Sequence, residues 1–150
     1  MINGYEETLQ QILLEQDRTG WRMLVGCIML NCTTRAQVDA VRDELFDRWQ
    51  NADMLSRADE RELEDVIRPL GLYRRRARTL RKFSDWWEQH LGVHDLSDRI
   101  IAMDPPGVGE YARDSWIVFY QGIVPAWPVQ DKVLRQVVQQ YGGASGVIWT

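Results

Sequence analysis

The chain has 150 residues, of which 45% are hydrophobic, enough for one self-sufficient core, so a single domain over 1–150 is expected. The longest apolar stretch, Met23 to Leu30, is too short to cross a bilayer, and with no signal peptide in view neither a membrane nor a secreted protein is expected. A net charge of −4 weighs against a broad nucleic-acid footprint, because phosphate contacts need cations.

Tyr5 to Glu15 puts Leu9, Ile12 and Leu13 at helical spacing and predicts a first amphipathic helix, broken by Gly20. Trp21 to Leu30 is apolar almost all round, the pattern of a central buried helix. It ends at Asn31-Cys32-Thr33-Thr34. Thr34 and Gln37 have the spacing of a capping box, and the helix they open carries Val38, Val41, Leu45 and Trp49 on one face. Asp59 and Glu62 start the next helix, with Leu63, Val66, Ile67 and Leu70 inward and a stop at Gly71. The loop Leu70-Gly71-Leu72-Tyr73 leads into a helix over Arg74–Leu91. Its inner face is Ala77, Leu80, Ser84 and Trp87; its outer face is basic, with Arg74, Arg78, Arg81 and Lys82. Such a run is either a solvated face or one turned toward phosphates, and both readings stand. Short helices are predicted over Leu96–Met103, Glu110–Gln121 and Asp131–Tyr141, the last with Leu134, Val137 and Val138 inward. No strand alternation, internal repeat or linker is evident. The expected fold class is all-α, with eight or nine helices.

Cys27 and Cys32 lie too close, on a helix and its exit, for a structural bridge, which fits a reducing compartment. With His90 and His94 they cannot complete a four-ligand zinc site or an iron–sulfur cluster without carboxylates. No metal and no other cofactor is expected. The 18 cations are all Arg except Lys82 and Lys132, and six of them fall between Arg74 and Lys82. Arg suits forked contacts to phosphate.

The stretch Asp104 to Asp131 concentrates the chemistry. Pro105-Pro106-Gly107-Val108-Gly109 is a rigid approach followed by two glycines that can take backbone angles closed to other residues. A glycine turn running into a helix gathers unpaired N–H groups that suit a phosphate. Asp131 heads another helix, after Val124-Pro125-Ala126-Trp127-Pro128. Plain structural accounts stand beside these: a tight helix–helix turn, and an Asp that only caps its helix.

Taken together, the chain resembles the helix-hairpin-helix DNA glycosylases of the endonuclease III superfamily over roughly residues 20 to 141, with the hairpin motif at about 99–121. The resemblance rests on Asn31-Cys32-Thr33-Thr34, Pro69-Leu70-Gly71-Leu72-Tyr73, Pro106-Gly107-Val108-Gly109 and Asp131, in the family's order and spacing. Gly71-Leu72-Tyr73, Tyr111 and Asp114-Ser115 make it look most like the thymine glycosylase domain linked to methyl-CpG-binding domains, a branch without the iron–sulfur cluster. Two positions depart from the family. Asn31 stands where relatives usually carry Gln, and Pro105 where they usually carry Leu.

The resemblance implies a helix-hairpin-helix glycosylase fold, double-stranded DNA as partner, and hydrolysis of the N-glycosidic bond of a flipped pyrimidine. The expected base is T or U opposite G, or a 5-substituted uracil. It implies that Asp131 is the catalytic carboxylate and Tyr111 a base-pocket residue. Gly107, Val108, Gly109 and Arg113 would hold the DNA backbone, Leu72 would be the wedge and Asn31 the plug for the vacated space. For Leu72 a helix-stop contact is an equal alternative. Relatives that also cut the strand carry a Lys just after the hairpin; Tyr111 occupies that position here, and a phenol cannot form an imine, so a monofunctional enzyme is expected. A monomer working in the cytoplasm at the nucleoid, or in a nucleus, fits this reading. A base-modifying transferase on the same scaffold and a catalytically silent DNA-binding module remain as alternatives.

Overall fold

The structure, a computed structural model, describes residues 20–91, 103–120 and 129–141. The helix expected over Tyr5–Glu15, most of that over Leu96–Met103, His94 and the segment Val124–Pro128 lie outside the described residues. Within them the chain is helical and contains no strand, so the all-α reading holds. Residues 28–107 form one compact unit, and the described residues outside that range belong to a second.

Helix α1, Trp21–Leu30, is buried along its whole length except at half-buried Arg22, as its unbroken apolar sequence requires. Helix α2, Arg35–Arg48, opens on the predicted capping box: the Gln37 N–H donates to Thr34 Oγ1, and the Thr34 N–H to Gln37 Oε1 at 2.8 Å. Val38, Val41, Leu45 and Trp49 are all inside. A five-residue helix that the sequence pattern did not reveal, α3 (Ala52–Ser56), follows, with Asn51 accepting the Met54 N–H at its start. Helix α4, Glu60–Ile67, begins where predicted, with Asp59 accepting the Glu62 N–H at 3.0 Å.

Pro69 has no N–H to give an α-helix, and the chain tightens over Arg68–Leu70 into a 3₁₀ turn. Gly71 then takes φ 73°, with its N–H on the Arg68 carbonyl at 3.1 Å. Helix α5, Tyr73–Leu91, begins one residue earlier than predicted and packs against α3 and α4, while α2 packs against α4. Its inner face holds Ala77, Leu80, Phe83, Ser84 and Trp87, all buried. Each fully buried Leu or Phe on that face contributes about 1.5–3 kcal/mol.

In the second unit the single helix expected over Glu110–Gln121 is replaced by two pieces. Helix α6, Glu110–Ser115, passes into a π-helical turn, Trp116–Tyr120. Trp116, Ile117 and Val118 are all buried there, three in a row, which a regular amphipathic α-helix would not hide. Helix α7, Lys132–Tyr141, has Leu134 buried and Val138 half-buried.

Candidate functional site

The 3₁₀ turn and Gly71 aim the next residue outward. Leu72 has φ 47° and is 67% exposed, an apolar side chain in water on a left-handed backbone. That conformation costs roughly 1–2 kcal/mol for a residue with a Cβ. It is held from both sides. The Leu72 carbonyl accepts the Arg76 N–H at 2.9 Å, the first bond of α5, and the Gly71 carbonyl accepts Arg76 Nε at 3.0 Å. Gln37 Nε2 donates to the Pro69 carbonyl at 3.0 Å. A helix-stop contact would have buried Leu72, so its exposure removes that alternative.

The end of α1 supplies the facing wall. The Thr33 N–H donates to the Leu30 carbonyl and Thr33 Oγ1 to the Met29 carbonyl, closing a turn in which Cys32 is left-handed (φ 59°) and Asn31 is exposed. Asn31, Leu72 and Gly107 line one cavity of about 240 Å³, with Cys32, Arg75 and Arg76. Sequence reading did not single out Arg76. It is buried on α5 and donates through Nη1 to the Ile28 carbonyl at 3.4 Å, so one guanidinium ties the Gly71-Leu72 turn to α1. Burial pushes its pKa below the usual guanidinium value, though the cation persists at any physiological pH. Its spacing with Leu80, Phe83 and Trp87 was the available signal, since these also recur at helical period.

Gly107 takes φ 78°, and a Cβ built on it would lie 2.5 Å from Thr79 Cγ2. Thr is β-branched and stiff, so only glycine fits there. Gly109 differs from expectation: its backbone is extended (φ −89°, ψ −165°), open to any residue, and nothing lies within 4 Å of a Cβ built on it. Its missing side chain leaves open space rather than enabling a turn.

In the second unit, Gly109 precedes α6 and accepts the Arg113 N–H at 3.0 Å, Val108 is half-buried, and Tyr111 is half-buried on the first turn of α6. The Arg113 side chain turns back: Nε and Nη2 lie 3.2 and 3.1 Å from Oδ1 of fully buried Asp114, with Glu110 at 3.7 Å. Burial pushes the Cys27 thiol up to about 12, against a smaller opposing hydrogen bond with Ser115, so it stays protonated and unreactive at neutral pH.

Asp131 stands at the head of α7, half-buried. Its Oδ2 accepts the Leu134 N–H at 2.9 Å and its carbonyl accepts the Arg135 N–H at 2.9 Å, so it caps the helix. Among the described residues Oδ1 accepts nothing. Arg135 reaches back to the carbonyls of Val129 (3.1 Å) and Gln130 (3.3 Å) and fixes the approach to the cap. The carboxylate is therefore oriented by one oxygen, and among the described residues the other is not engaged. Lys132, one residue on, is exposed and points about 100° away around the helix. No three His, Cys, Asp or Glu side chains among the described residues are grouped to hold a metal ion.

A sequence model of the HhH-GPD superfamily base excision DNA repair proteins matches residues 25–147. The methyl-CpG-binding domain protein 4-like protein of Arabidopsis thaliana is 33% identical over 112 residues, covering 73% of this chain and 24% of that protein. The thymine-DNA glycosylase of Aeropyrum pernix is 34% identical over 123 residues, covering 82% of this chain and 54% of that protein. The chain thus spans about a quarter and about half of these relatives' lengths. In fold it matches endonuclease III as seen in a trapped covalent intermediate with DNA, with a TM-score of 0.67 at 22% identity over 92% of this chain and 66% of that one.

Proposed function

The chain belongs to the HhH-GPD superfamily of base excision DNA repair proteins, and from that premise we propose that it is a monofunctional DNA glycosylase acting on duplex DNA. Its target is a flipped pyrimidine: thymine or uracil opposite guanine, or a 5-substituted uracil. The observation that carries the reading is exposed, left-handed Leu72 sharing a cavity with Asn31. Drawing a base out of the stack costs a few kcal/mol. Burying a leucine in the gap returns about 1.5–3 kcal/mol, which is of the same order. Asn31 plugs the space that the flipped nucleotide vacates. The backbone of Gly107, Val108 and Gly109 holds phosphate, with Arg113 beside it.

Asp131 acts on the sugar. As the C1′–N bond breaks, its electron pair leaves with the base and positive charge grows on the deoxyribose. A carboxylate oxygen about 4 Å from that charge, at an effective dielectric near 20, is worth about 4 kcal/mol, roughly a thousandfold in rate. Water then adds to C1′ and its proton passes to Oδ1, the oxygen not engaged by the helix. Tyr111 stacks on the flipped base, and having no amine it forms no imine with the sugar. The product is an abasic site in an unbroken strand.

The test is incubation with duplexes carrying T·G, U·G or 5-hydroxymethyluracil·G, followed by hot alkali. Alkali-dependent breaks and free base are expected, both absent in Asp131→Asn. Breaks without alkali would overturn the monofunctional assignment, and an altered nucleoside in place of free base would overturn hydrolysis itself.

A further inference from the structure

Of the nine exposed arginines among the described residues, four are neutralised by carboxylates. Arg35 meets Asp39, Arg48 meets Glu44 and Glu62, Arg57 meets Asp53, and Arg68 meets Asp65. The outer face of α5 is different. Among the described residues Arg74, Arg75, Arg78 and Lys82 form no ion pair, and all four are exposed. Among the described residues Arg61, Lys132 and Arg135 are the other exposed cations without one, and they sit on α4 and α7, with Arg135 turned onto backbone carbonyls. At about 100° and 1.5 Å per residue, the four on α5 make a stripe about 12 Å long and about 100° wide. The stripe faces away from Ala77, Leu80, Ser84 and Trp87, and Arg81 beside it is drawn off toward Glu60 at 3.7 Å. Asp85, bonded to Gln89, marks its far end.

The near end is Leu72. Leu72, Tyr73, Arg74, Arg75 and Arg78 line one shallow depression. The Arg74 guanidinium lies 5.8 Å from the Tyr73 ring centre, and Arg78 Nε is 3.4 Å from the Arg74 carbonyl, so both are steered along the helix. Four unneutralised cations in a row are costly through mutual repulsion unless a polyanion lies over them. At physiological salt the screening length is about 8 Å. The net charge of −4 therefore does little to offset the local field.

The geometry points to a second phosphate-binding surface, distinct from the glycine turn at Gly107–Gly109, in which Arg74, Arg75, Arg78 and Lys82 track the sugar–phosphate backbone of the duplex beside Leu72. This rests on the glycosylase reading for its DNA partner. It would anchor the duplex next to the wedge without reading sequence.

The test is the salt dependence of binding by the full chain to a duplex carrying a tetrahydrofuran abasic analogue, read by fluorescence anisotropy. For the triple variant Arg74→Gln, Arg78→Gln, Lys82→Gln, the slope of log K against log salt should shrink by about 2–3, at roughly 0.9 for each phosphate no longer neutralised. The control Arg35→Gln, Arg48→Gln, Arg57→Gln removes the same net charge from paired sites and should keep the wild-type slope. Should the triple variant melt early, Arg78→Gln alone should remove about one unit of slope. An unchanged slope, or equal decreases in the variant and the control, overturns the proposal. Excision by the wild type with an unchanged variant slope sinks this surface and leaves the glycosylase reading; a reduced slope without any excision does the reverse. A wild-type chain that does not bind the duplex sinks both.

Discussion

The Asp131 carboxylate accepts the Leu134 N–H at 2.9 Å through Oδ2, so a single side chain both starts α7 and presents a second oxygen. The two roles separate by substitution. Asp131→Asn keeps an oxygen for the cap and should melt close to the wild type, while single-turnover excision falls about a thousandfold. Asp131→Ala should lose the same activity and an additional 0.5–2 kcal/mol, roughly the worth of a cap, in denaturant unfolding.

The two hairpin glycines should respond oppositely. Gly107→Ala sets a Cβ 2.5 Å from Thr79 Cγ2 at φ 78°, and about 1–3 kcal/mol of stability should be lost. Gly109→Ala meets nothing within 4 Å, and its stability should stay within about 0.5 kcal/mol. Its DNA affinity should nevertheless fall, because a methyl would stand where a phosphate approaches. Thermal melts and anisotropy on the same two variants check both halves.

Leu72→Gly removes a left-handed strain of roughly 1–2 kcal/mol and adds a glycine entropy cost of about 0.5–1 kcal/mol, so stability should hold or rise by up to about 1.5 kcal/mol. Turnover on a paired target should drop well below the wild type, with a smaller decrease on a single strand. Equal decreases on the two substrates would remove the wedge assignment.

Arg76 joins Gly71 to Ile28 through two carbonyls, and Arg76→Ala leaves both without that donor. A loss of about 1.5–3 kcal/mol is expected in urea unfolding. Arg76→Lys should recover only part of it, because a point ammonium cannot span both acceptors. Base displacement, followed by 2-aminopurine fluorescence, should weaken in the same order.

Cys27 makes stability depend on alkaline pH. Its folded pKa is raised to about 12 from an ordinary 9.0, so above pH 9 the unfolded chain loses a proton that the folded chain retains. Stability should be flat from this group below pH 9 and fall by about 1.4 kcal/mol per pH unit between 9 and 12. Cys27→Ala should abolish that fall. At neutral pH a thiol reagent should label exposed Cys32 in the native protein and Cys27 only on unfolding.

What the sequence made legible was what depends on neighbours in the chain. The Thr34–Gln37 box, the Asp59 cap and the inner face of α5 follow from spacing of three and four residues, and the structure has all of them. Helix α3 escaped because a five-residue helix shows scarcely more than one turn of period, although Asn51 ahead of Met54 was a readable cap. The π turn at Trp116–Tyr120 and the extended backbone of Gly109 escaped because composition does not distinguish a widened turn from a regular one, or an open glycine from a bent one. For Leu72 the residues allowed two fates, and its solvent exposure speaks against the helix-stop contact. Arg76 was hidden by its charge: a cation in an apolar-spaced position looks like a surface residue until its acceptors are known.

Gln37 carries a consequence of its own. Its oxygen completes the box with Thr34 while its nitrogen grips the Pro69 carbonyl, so two elements 32 residues apart depend on one amide. Exchange to glutamate would conserve the oxygen and discard the donor, leaving α2 well started and the leucine-bearing bend unmoored. Between these two nearly isosteric residues, then, lies a dial on how firmly the bend is held, one that natural drift or deliberate engineering could turn without disturbing either helix.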